Sequence, residues 1–200
     1  MSIVRRTAAL AALAVLTGSV AGCGLFASKD EVLIVGDSVT YQSDAEIEQQ
    51  FAWADGVDLE AVSGKRNDEL LPGAEEAASR QPQKGVFMPG YNDVMQGKAA
   101  DSPIPAMMAV AGSIPCSVWL LLPTKGVYDP KQAELWNQRV RDEAAAFDNV
   151  HLVDDWARLV DNSEQYTLVN TEDGVHPNEL GRKAVAEVMS KSLQRNCPDE

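Results

Sequence analysis

The sequence predicts a three-layer α/β/α sandwich around a five-stranded parallel sheet. Short apolar runs alternate with longer amphipathic stretches along the 200 residues, which is the order of strands and helices in βαβ units. The apolar runs are continuous, as in strands that are buried on both faces of a sheet. No internal repeat or low-complexity segment interrupts this order, so the pattern predicts one domain.

Five apolar runs are predicted to be strands, because their length suits a strand and turn residues follow several of them. The first is closed by Gly36 and the second by Gly64, whereas the fourth, the most apolar, runs into Pro123. The predicted strands cover residues 32–35, 57–62, 86–88, 117–122 and 150–153.

Five further stretches have the spacing of helices. The longest of them places Trp136 and Val140 on a buried face and charged residues on a wet one. The last is expected to hold Pro177 in its first turn, where a missing N–H does no harm. This order of elements is typical of a flavodoxin-like sandwich. The predicted helices cover residues 44–53, 68–80, 103–111, 130–147 and 177–193.

The charge of the chain argues against two classes of partner. The formal net charge is −13, and no run of basic residues is present. Nucleic acid needs many Lys or Arg side chains to displace its counterions, so nucleic-acid binding is not expected. Adsorption to anionic lipid headgroups by charge alone is not expected for the same reason.

The N-terminus has the pattern of an export signal. Arg5 and Arg6 precede the apolar stretch 7–16, which is too short for a membrane-spanning helix. The segment ends in Val-Ala-Gly-Cys at residues 20–23, which resembles a bacterial lipobox. This resemblance implies that Cys23 is lipidated and becomes the first mature residue. The alternative is an ordinary signal peptide with an incidental Cys, and the route of export, Sec or twin-arginine, is left open.

The predicted organisation is therefore a lipoprotein signal peptide at 1–22, a short linker at 23–30 and the α/β domain at 31–197. Cys116 and Cys197 form an even pair in an oxidising compartment, which favours a structural disulfide over two free thiols. Both are expected at the amino end of the sheet, since the last helix runs back towards that end.

Polar residues follow the strands at their carboxyl ends, where open parallel sheets bind ligands. Ser38 follows the first strand, and a serine hydroxyl needs an adjacent base to act as a nucleophile. Of the two histidines, His151 opens the fifth strand at the far end of the sheet, whereas His176 precedes the last helix. Asp173, three residues earlier, can hold the second ring nitrogen of His176. These residues predict a catalytic serine triad.

The tetrahedral intermediate of such a reaction needs hydrogen-bond donors for its oxyanion. The backbone N–H groups of Ser38 and Gly64 and the side-chain amide of Asn92 are predicted to supply them. Gly64 suits this position because it has no Cβ to block close approach. Asp37 and Asp93 lie beside these residues and are interpreted as turn or capping residues.

Together these motifs resemble the SGNH/GDSL hydrolases, whose signature residues are Ser, Gly, Asn and His in that order. They fall here on Ser38, Gly64, Asn92 and His176, and Asp173 matches the family's Asp-x-x-His. The resemblance covers residues 32–190 and includes stretches 137–141 and 153–156, which are similar to the family's fourth helix and fifth strand. The sequence departs from the family pattern at two positions. Val39 stands where Leu is usual, and Pro89 precedes Gly90 where a small or aliphatic residue is more common. The resemblance implies that neither a metal nor an organic cofactor is needed.

The resulting hypothesis is an exported, lipid-anchored serine ester hydrolase. Short acyl esters on cell-envelope glycans are the expected substrates, and Cys23 provides the membrane contact. The linker residues 24–30 reach at most about 24 Å, so the amino edge of the sheet is expected near the bilayer and the catalytic edge away from it. The alternatives are an acyltransferase with the same triad and an envelope-binding lipoprotein without catalytic activity.

Several aromatic residues have two interpretations on the sequence alone. Tyr41, Tyr91 and Trp53 either line an acyl or sugar pocket or pack in the interior, and packing is the more common role. Trp119, in the most apolar strand, is expected in the core. His151 is interpreted as an ordinary residue at a strand end.

Overall fold

A computed structural model describes residues 31–125, 129–164, 167–170 and 172–199. The predicted signal peptide, the predicted lipidation site Cys23 and the linker up to residue 30 lie outside the described residues. The predicted fold class is confirmed. All strand pairs in the sheet are parallel, and their order is β2-β1-β3-β4-β5.

The strands end level with one another at the sheet's carboxyl edge. Gly36, the last residue of β1, pairs with Ala61 at the end of β2 and with Met88 at the end of β3. The loops that follow these three strands therefore start side by side. The strands are β1 Glu31–Gly36, β2 Gly56–Ala61, β3 Lys84–Met88, β4 Cys116–Leu120 and β5 Val150–Val153.

The helices form one layer on each face of this sheet. On one face α5 contacts α3 and α6, and on the other face α8 contacts α2 and α7. The described residues contain α1 Ser38–Tyr41, α2 Asp44–Gln50, α3 Asn67–Ala78, α4 Tyr91–Met95, α5 Ile104–Ser113, α6 Pro130–Ala144, α7 Asp155–Asn162 and α8 Glu179–Asn196. Within the described residues, none of these helices combines the length and apolar composition of a membrane span.

The core between the layers contains the aromatic side chains. Trp119 is fully buried, as predicted, and stacks on Phe87 of the neighbouring strand with ring centroids 5.6 Å apart. Trp136 of α6 and Trp156 of α7 are also fully buried.

Three short helices were not predicted, most predicted boundaries differ from the observed ones by one to three residues, and the start of the last helix was wrong. α1, α4 and α7 each follow a strand closely, and α1 and α4, of four and five residues, are too short for a helical period to stand out. The stretch 153–156 is not a continuous strand, because β5 ends at Val153 and Trp156 lies in α7. The last helix begins at Glu179, since the Asn178 side chain caps it by accepting a bond from the N–H of Gly181 (3.0 Å). Pro177 therefore precedes the helix and pairs with Val169 in an isolated bridge.

The predicted disulfide is present at the amino end of the sheet. Cys116 starts β4, Cys197 caps the end of α8, and their Cα atoms are 5.7 Å apart. The bridge closes a loop over a sequence separation of 81 residues. Closing a loop of this length contributes about 4 kcal/mol to stability if the native geometry is unstrained.

Candidate active site

The nucleophile position is set by a tight turn between β1 and α1. Ser38 is the first residue of α1, and Asp37 caps this helix by accepting a bond from the N–H of Val39 (3.3 Å). A Cβ atom at Gly36 would lie 2.0 Å from Oγ1 of Thr40, so only glycine fits where the strand turns into the helix. The turn therefore holds Ser38 at the carboxyl edge, with 4% of the residue exposed.

Ser38, His176 and Asp173 form one hydrogen-bonded row, although 138 residues separate Ser38 from His176. The Ser38 hydroxyl oxygen lies 2.9 Å from Nε2 of His176, and Nδ1 of His176 lies 2.6 Å from Oδ2 of Asp173. With Nδ1 protonated, Nε2 is free to accept the serine proton. The predicted spatial arrangement of these three residues is therefore present, and their catalytic roles stay a prediction.

The loop that carries His176 is held by its own backbone. The second oxygen of the Asp173 carboxylate accepts bonds from the N–H groups of Val175 (2.8 Å) and His176 (2.9 Å). The carbonyl oxygen of His176 accepts a bond from the N–H of Asn170 (2.8 Å), and the Asn170 carbonyl accepts one from the N–H of Gly174 (2.9 Å). These bonds fix the direction of the imidazole before any substrate arrives.

The same bonds determine the charge of Asp173. Partial burial pushes the pKa of this carboxyl upwards, but the hydrogen bond from His176 and the two backbone N–H bonds outweigh burial and leave the pKa below its ordinary value. Asp173 therefore stays a carboxylate at neutral pH and can stabilise an imidazolium on His176.

The predicted oxyanion donors lie on loops that are joined to one another. Gly64 adopts a φ of 78°, in the left-handed region that favours glycine. The Asn92 side-chain amide donates to the carbonyl oxygen of Lys65 (3.1 Å), the residue after Gly64. This bond ties the Asn92 loop to the Gly64 loop. Among the described residues, no hydrogen bond uses the N–H of Ser38 or of Gly64, so both can serve a ligand.

Asp37 joins the serine turn to the Asn92 loop. Its Oδ2 atom accepts bonds from the N–H groups of Gly90 (3.2 Å) and Tyr91 (2.8 Å). Burial, which is complete here, raises the pKa of Asp37 from 3.8 to about 7, and the backbone N–H bonds counteract it only in part. The interpretation of Asp37 as a capping residue holds, but no sequence pattern indicates that it also connects two loops.

Comparison with known proteins agrees with this geometry. The model of the GDSL-like lipase/acylhydrolase family matches residues 34–184, which is more than half of the chain. The chain belongs to this family. As a member of the GDSL-like lipase/acylhydrolase family, it is an ester hydrolase of the serine type. No curated protein matches the chain.

Solved structures share the fold of this GDSL family member at low sequence identity. A GDSL-like lipase from Bacteroides thetaiotaomicron is 18% identical, with a TM-score of 0.65 over 84% of this chain and 89% of its own. A lipolytic protein of the G-D-S-L family from Veillonella parvula is 19% identical, with a TM-score of 0.64 over 82% of this chain and 98% of its own. An acetyl xylan esterase from Geobacillus stearothermophilus is 15% identical, with a TM-score of 0.60 over 86% of this chain and 96% of its own.

The GDSL site is completed by a second buried carboxyl group. Asp93, 1% exposed, accepts a bond from the N–H of Asn67 (2.9 Å) at the start of α3. Burial raises the pKa of Asp93 above its ordinary value. Asp93 thus has the structural role that was expected of it, since it connects α4 to the helix after the Gly64 loop.

Other candidate residues lie away from the reacting groups. Tyr91 is buried, and its hydroxyl accepts a bond from the Trp156 indole (2.7 Å), so it is a packing residue. The Trp53 ring lies 5.2 Å from the Lys84 ammonium, and Lys84 starts β3 at the amino edge. Of the three aromatic candidates, Tyr41 lies on the helix that carries Ser38, at the end of α1, and is 51% exposed.

Proposed function

We propose that this GDSL hydrolase removes short acyl groups from cell-envelope glycans, with Ser38, His176 and Asp173 as its catalytic triad. The proposal is carried by one observation, the hydrogen-bonded row from Ser38 through His176 to Asp173. The acyl-transfer chemistry follows from that row.

In the first half of the reaction the Ser38 oxygen attacks the ester carbonyl while Nε2 of His176 takes the hydroxyl proton. The imidazolium is stabilised by the Asp173 carboxylate, and the oxyanion is stabilised by N–H of Ser38, N–H of Gly64 and the amide of Asn92. The imidazolium then protonates the leaving alcohol as the bond from carbonyl carbon to alcohol oxygen breaks. An acyl ester on Ser38 is left.

In the second half, a water molecule gives a proton to His176 as its oxygen attacks the acyl-enzyme. Collapse of this second tetrahedral intermediate returns the proton to the Ser38 oxygen and releases the carboxylic acid. Replacing water by a sugar hydroxyl would give an acyl transfer with the same residues. The chemistry is the same in both cases, so the products distinguish the two reactions.

Exposure of the triad supports a bulky substrate. The side chain of His176 is 25% exposed and that of Asp173 is 34% exposed, so the His176–Asp173 side of the triad is open to solvent, whereas Ser38 is 4% exposed. A polymer with small acyl substituents can approach such an open site. Tyr41, half-exposed at the end of the same helix that carries Ser38, offers a ring against which a sugar can stack. The structural neighbour from Geobacillus stearothermophilus is described as an acetyl xylan esterase, which is consistent with this substrate class.

Export and lipid anchoring at Cys23 complete the proposal. β1 starts at the amino edge, at Glu31, only a few residues after Cys23. The anchor would hold the amino edge near the bilayer, and the carboxyl edge with Ser38 would face the periplasm or cell wall. A substrate in the envelope fits this orientation better than a lipid of the anchoring leaflet.

The test combines p-nitrophenyl esters of graded chain length with acetylated wall glycans, using wild type and Ser38→Ala. We expect fastest turnover on short esters, release of acetate from the glycan, and loss of both in Ser38→Ala. Labelling by a fluorophosphonate is expected at Ser38. No labelling of a folded protein would support the inactive envelope-binding alternative, and acyl transfer to an added glycan would support the transferase.

Anchoring is tested separately in bacteria that are fed an alkyne fatty acid. Wild type is expected to carry the label and to sediment with membranes, whereas Cys23→Ser is expected to lack the label. Equal labelling of the two chains would exclude Cys23 as the lipidation site without bearing on the esterase proposal.

A further inference from the structure

A second group of reactive side chains lies at the amino edge of the sheet, opposite Ser38. Cys116 starts β4, Cys197 caps the end of α8, and His151 is the second residue of β5. The register pairs His151 with Val118, so Cys116, two residues earlier, points to the same face of the sheet. Ligand atoms of all three side chains lie within 4.8 Å of one another. His151 was interpreted above as an ordinary strand-end residue, and the esterase reaction uses none of the three.

We propose that reduction of the Cys116–Cys197 disulfide creates a binding site for one thiophilic divalent metal ion, best matched by Zn²⁺, with Cys116, Cys197 and His151 as ligands. In the oxidised protein both sulfur atoms are consumed by the bridge, so the disulfide and the metal exclude each other. Two thiolates and one imidazole form a soft ligand set that suits Zn²⁺ and disfavours Mg²⁺ or Ca²⁺.

The conversion needs a dithiol reductant, which supplies two electrons. One thiolate of the reductant attacks a bridge sulfur and breaks the S–S bond, and its second thiolate then closes the reductant's own disulfide. Cys116 and Cys197 are released as thiols. Each thiol loses its proton to solvent as its sulfur binds the metal, while neutral His151 binds through a ring-nitrogen lone pair.

The spacing of the ligand atoms suits a tetrahedral ion. Zinc–sulfur bonds of about 2.3 Å and zinc–nitrogen bonds of about 2.0–2.1 Å place ligand atoms roughly 3.5–3.8 Å apart. The three ligand atoms already lie within 4.8 Å of one another, and the two cysteine Cα atoms are 5.7 Å apart. Rotation of the side chains is therefore enough to form the site. Three protein ligands leave the fourth position for water.

The surroundings of the cysteines tolerate an added cation. Lys84 is the register neighbour of Cys116, and its ammonium forms an ion pair with Asp199, two residues beyond Cys197. The Asp199 carboxylate offsets the lysine charge that would otherwise repel a metal. Cys197 is buried, whereas Cys116 and His151 are half-buried, so an ion can enter from their side.

The test uses the full chain with Cys23→Ser, which removes the third thiol. The protein is reduced under anaerobic conditions, freed of reductant and titrated with Co²⁺, while sulfur-to-cobalt charge-transfer absorption is recorded. We expect one Co²⁺ per reduced chain, displacement by Zn²⁺, and no such absorption in the oxidised chain. His151→Ala should weaken binding by more than about tenfold, and Cys116→Ser should reduce the charge-transfer absorption strongly.

His176→Ala is the matched control, because it removes the other histidine, at the opposite edge, and should bind Co²⁺ like its parent. Failure of the folded, reduced chain to bind Co²⁺, or equal binding by His151→Ala and His176→Ala, would overturn the proposal. If circular dichroism shows that reduction unfolds the chain, one equivalent of Co²⁺ should restore the fold, and a lack of restoration would overturn the proposal equally.

Discussion

Asp37 accepts a hydrogen bond from the N–H of Tyr91, 54 residues later in the chain, at 2.8 Å. This bond joins the turn that carries Ser38 to the loop that carries Asn92. A nucleophile and an oxyanion donor on separate loops must keep their spacing to within a fraction of an ångström. Asp37 is therefore a positioning residue, because it acts through the two backbone segments that it holds together.

The buried Asp37 carboxyl should make stability depend on pH. Its pKa is about 7 in the folded protein and near 3.8 in the unfolded chain, so the folded protein keeps a proton between these values that the unfolded chain has lost. Its contribution to stability is therefore fully present below about pH 4 and is lost as the pH rises through about 7. Urea denaturation of wild type and Asp37→Asn at pH 5 and pH 8 tests this.

The difference in unfolding free energy between the two proteins isolates this group, since other titrations cancel. Wild type should be more stable than Asp37→Asn at pH 5, because an Asn amide would face the N–H donors of Gly90 and Tyr91. That advantage should shrink at pH 8. An advantage that grows with pH would mean that the carboxylate form is the stabilised one.

Loss of the Asn92 amide should slow catalysis without unfolding the protein. Asn92→Ala is expected to lower kcat by about 10²–10³, the usual effect of removing one oxyanion donor. It also removes the bond to the Lys65 carbonyl, which ties the loop of Gly64. Steady-state kinetics on a short p-nitrophenyl ester give the measurement. Gln96→Ala, an exposed residue that follows α4, is the control and should retain activity. Equal kcat in both variants would remove Asn92 from the oxyanion site.

The two histidines should differ sharply in their effect on activity. Asp173→Asn is expected to lower kcat by about 10⁴, because an amide no longer holds the tautomer of His176 that accepts the serine proton. His176→Ala should be at least as damaging. His151→Ala should be mild, since His151 lies at the amino edge beside the disulfide. Comparable losses in His151→Ala and His176→Ala would show that the wrong base has been assigned.

Gly90 should tolerate no side chain. Its φ is 120°, and an added Cβ would lie 2.3 Å from the buried Trp136 ring. Gly90→Ala is expected to lower the free energy of unfolding by more than about 2 kcal/mol, through backbone strain and displacement of the indole. Thermal unfolding measures this. Gly97→Ala is the control, because φ is also positive there but the Cβ would meet no atom within 4 Å. If Gly90→Ala lowered the free energy of unfolding by less than Gly97→Ala, the predicted clash with Trp136 would be contradicted.

Local features of this protein were predictable from its sequence. β5 was predicted with the bounds that the structure shows. Asp173 and His176 are only three residues apart, so the geometry of a single loop determines their hydrogen bond. The cysteine pair was predictable from the expected export of the chain and from the topology. Short helices such as α1 and α4 were missed because they hold fewer than two helical turns and so carry no period.

Tertiary structure alone decided which distant groups meet. The bonds from Asp37 to the Gly90 loop and from Asn92 to Lys65 span tens of residues, and their partners are backbone atoms that every residue possesses. No sequence pattern marks such a partner. The nearness of His151 to Cys116 and Cys197 likewise depends on strand register and on where α8 ends. The sequence by itself determined the chemical groups and the order of the elements, and packing of the sheet and helices determined the distances at which those groups work.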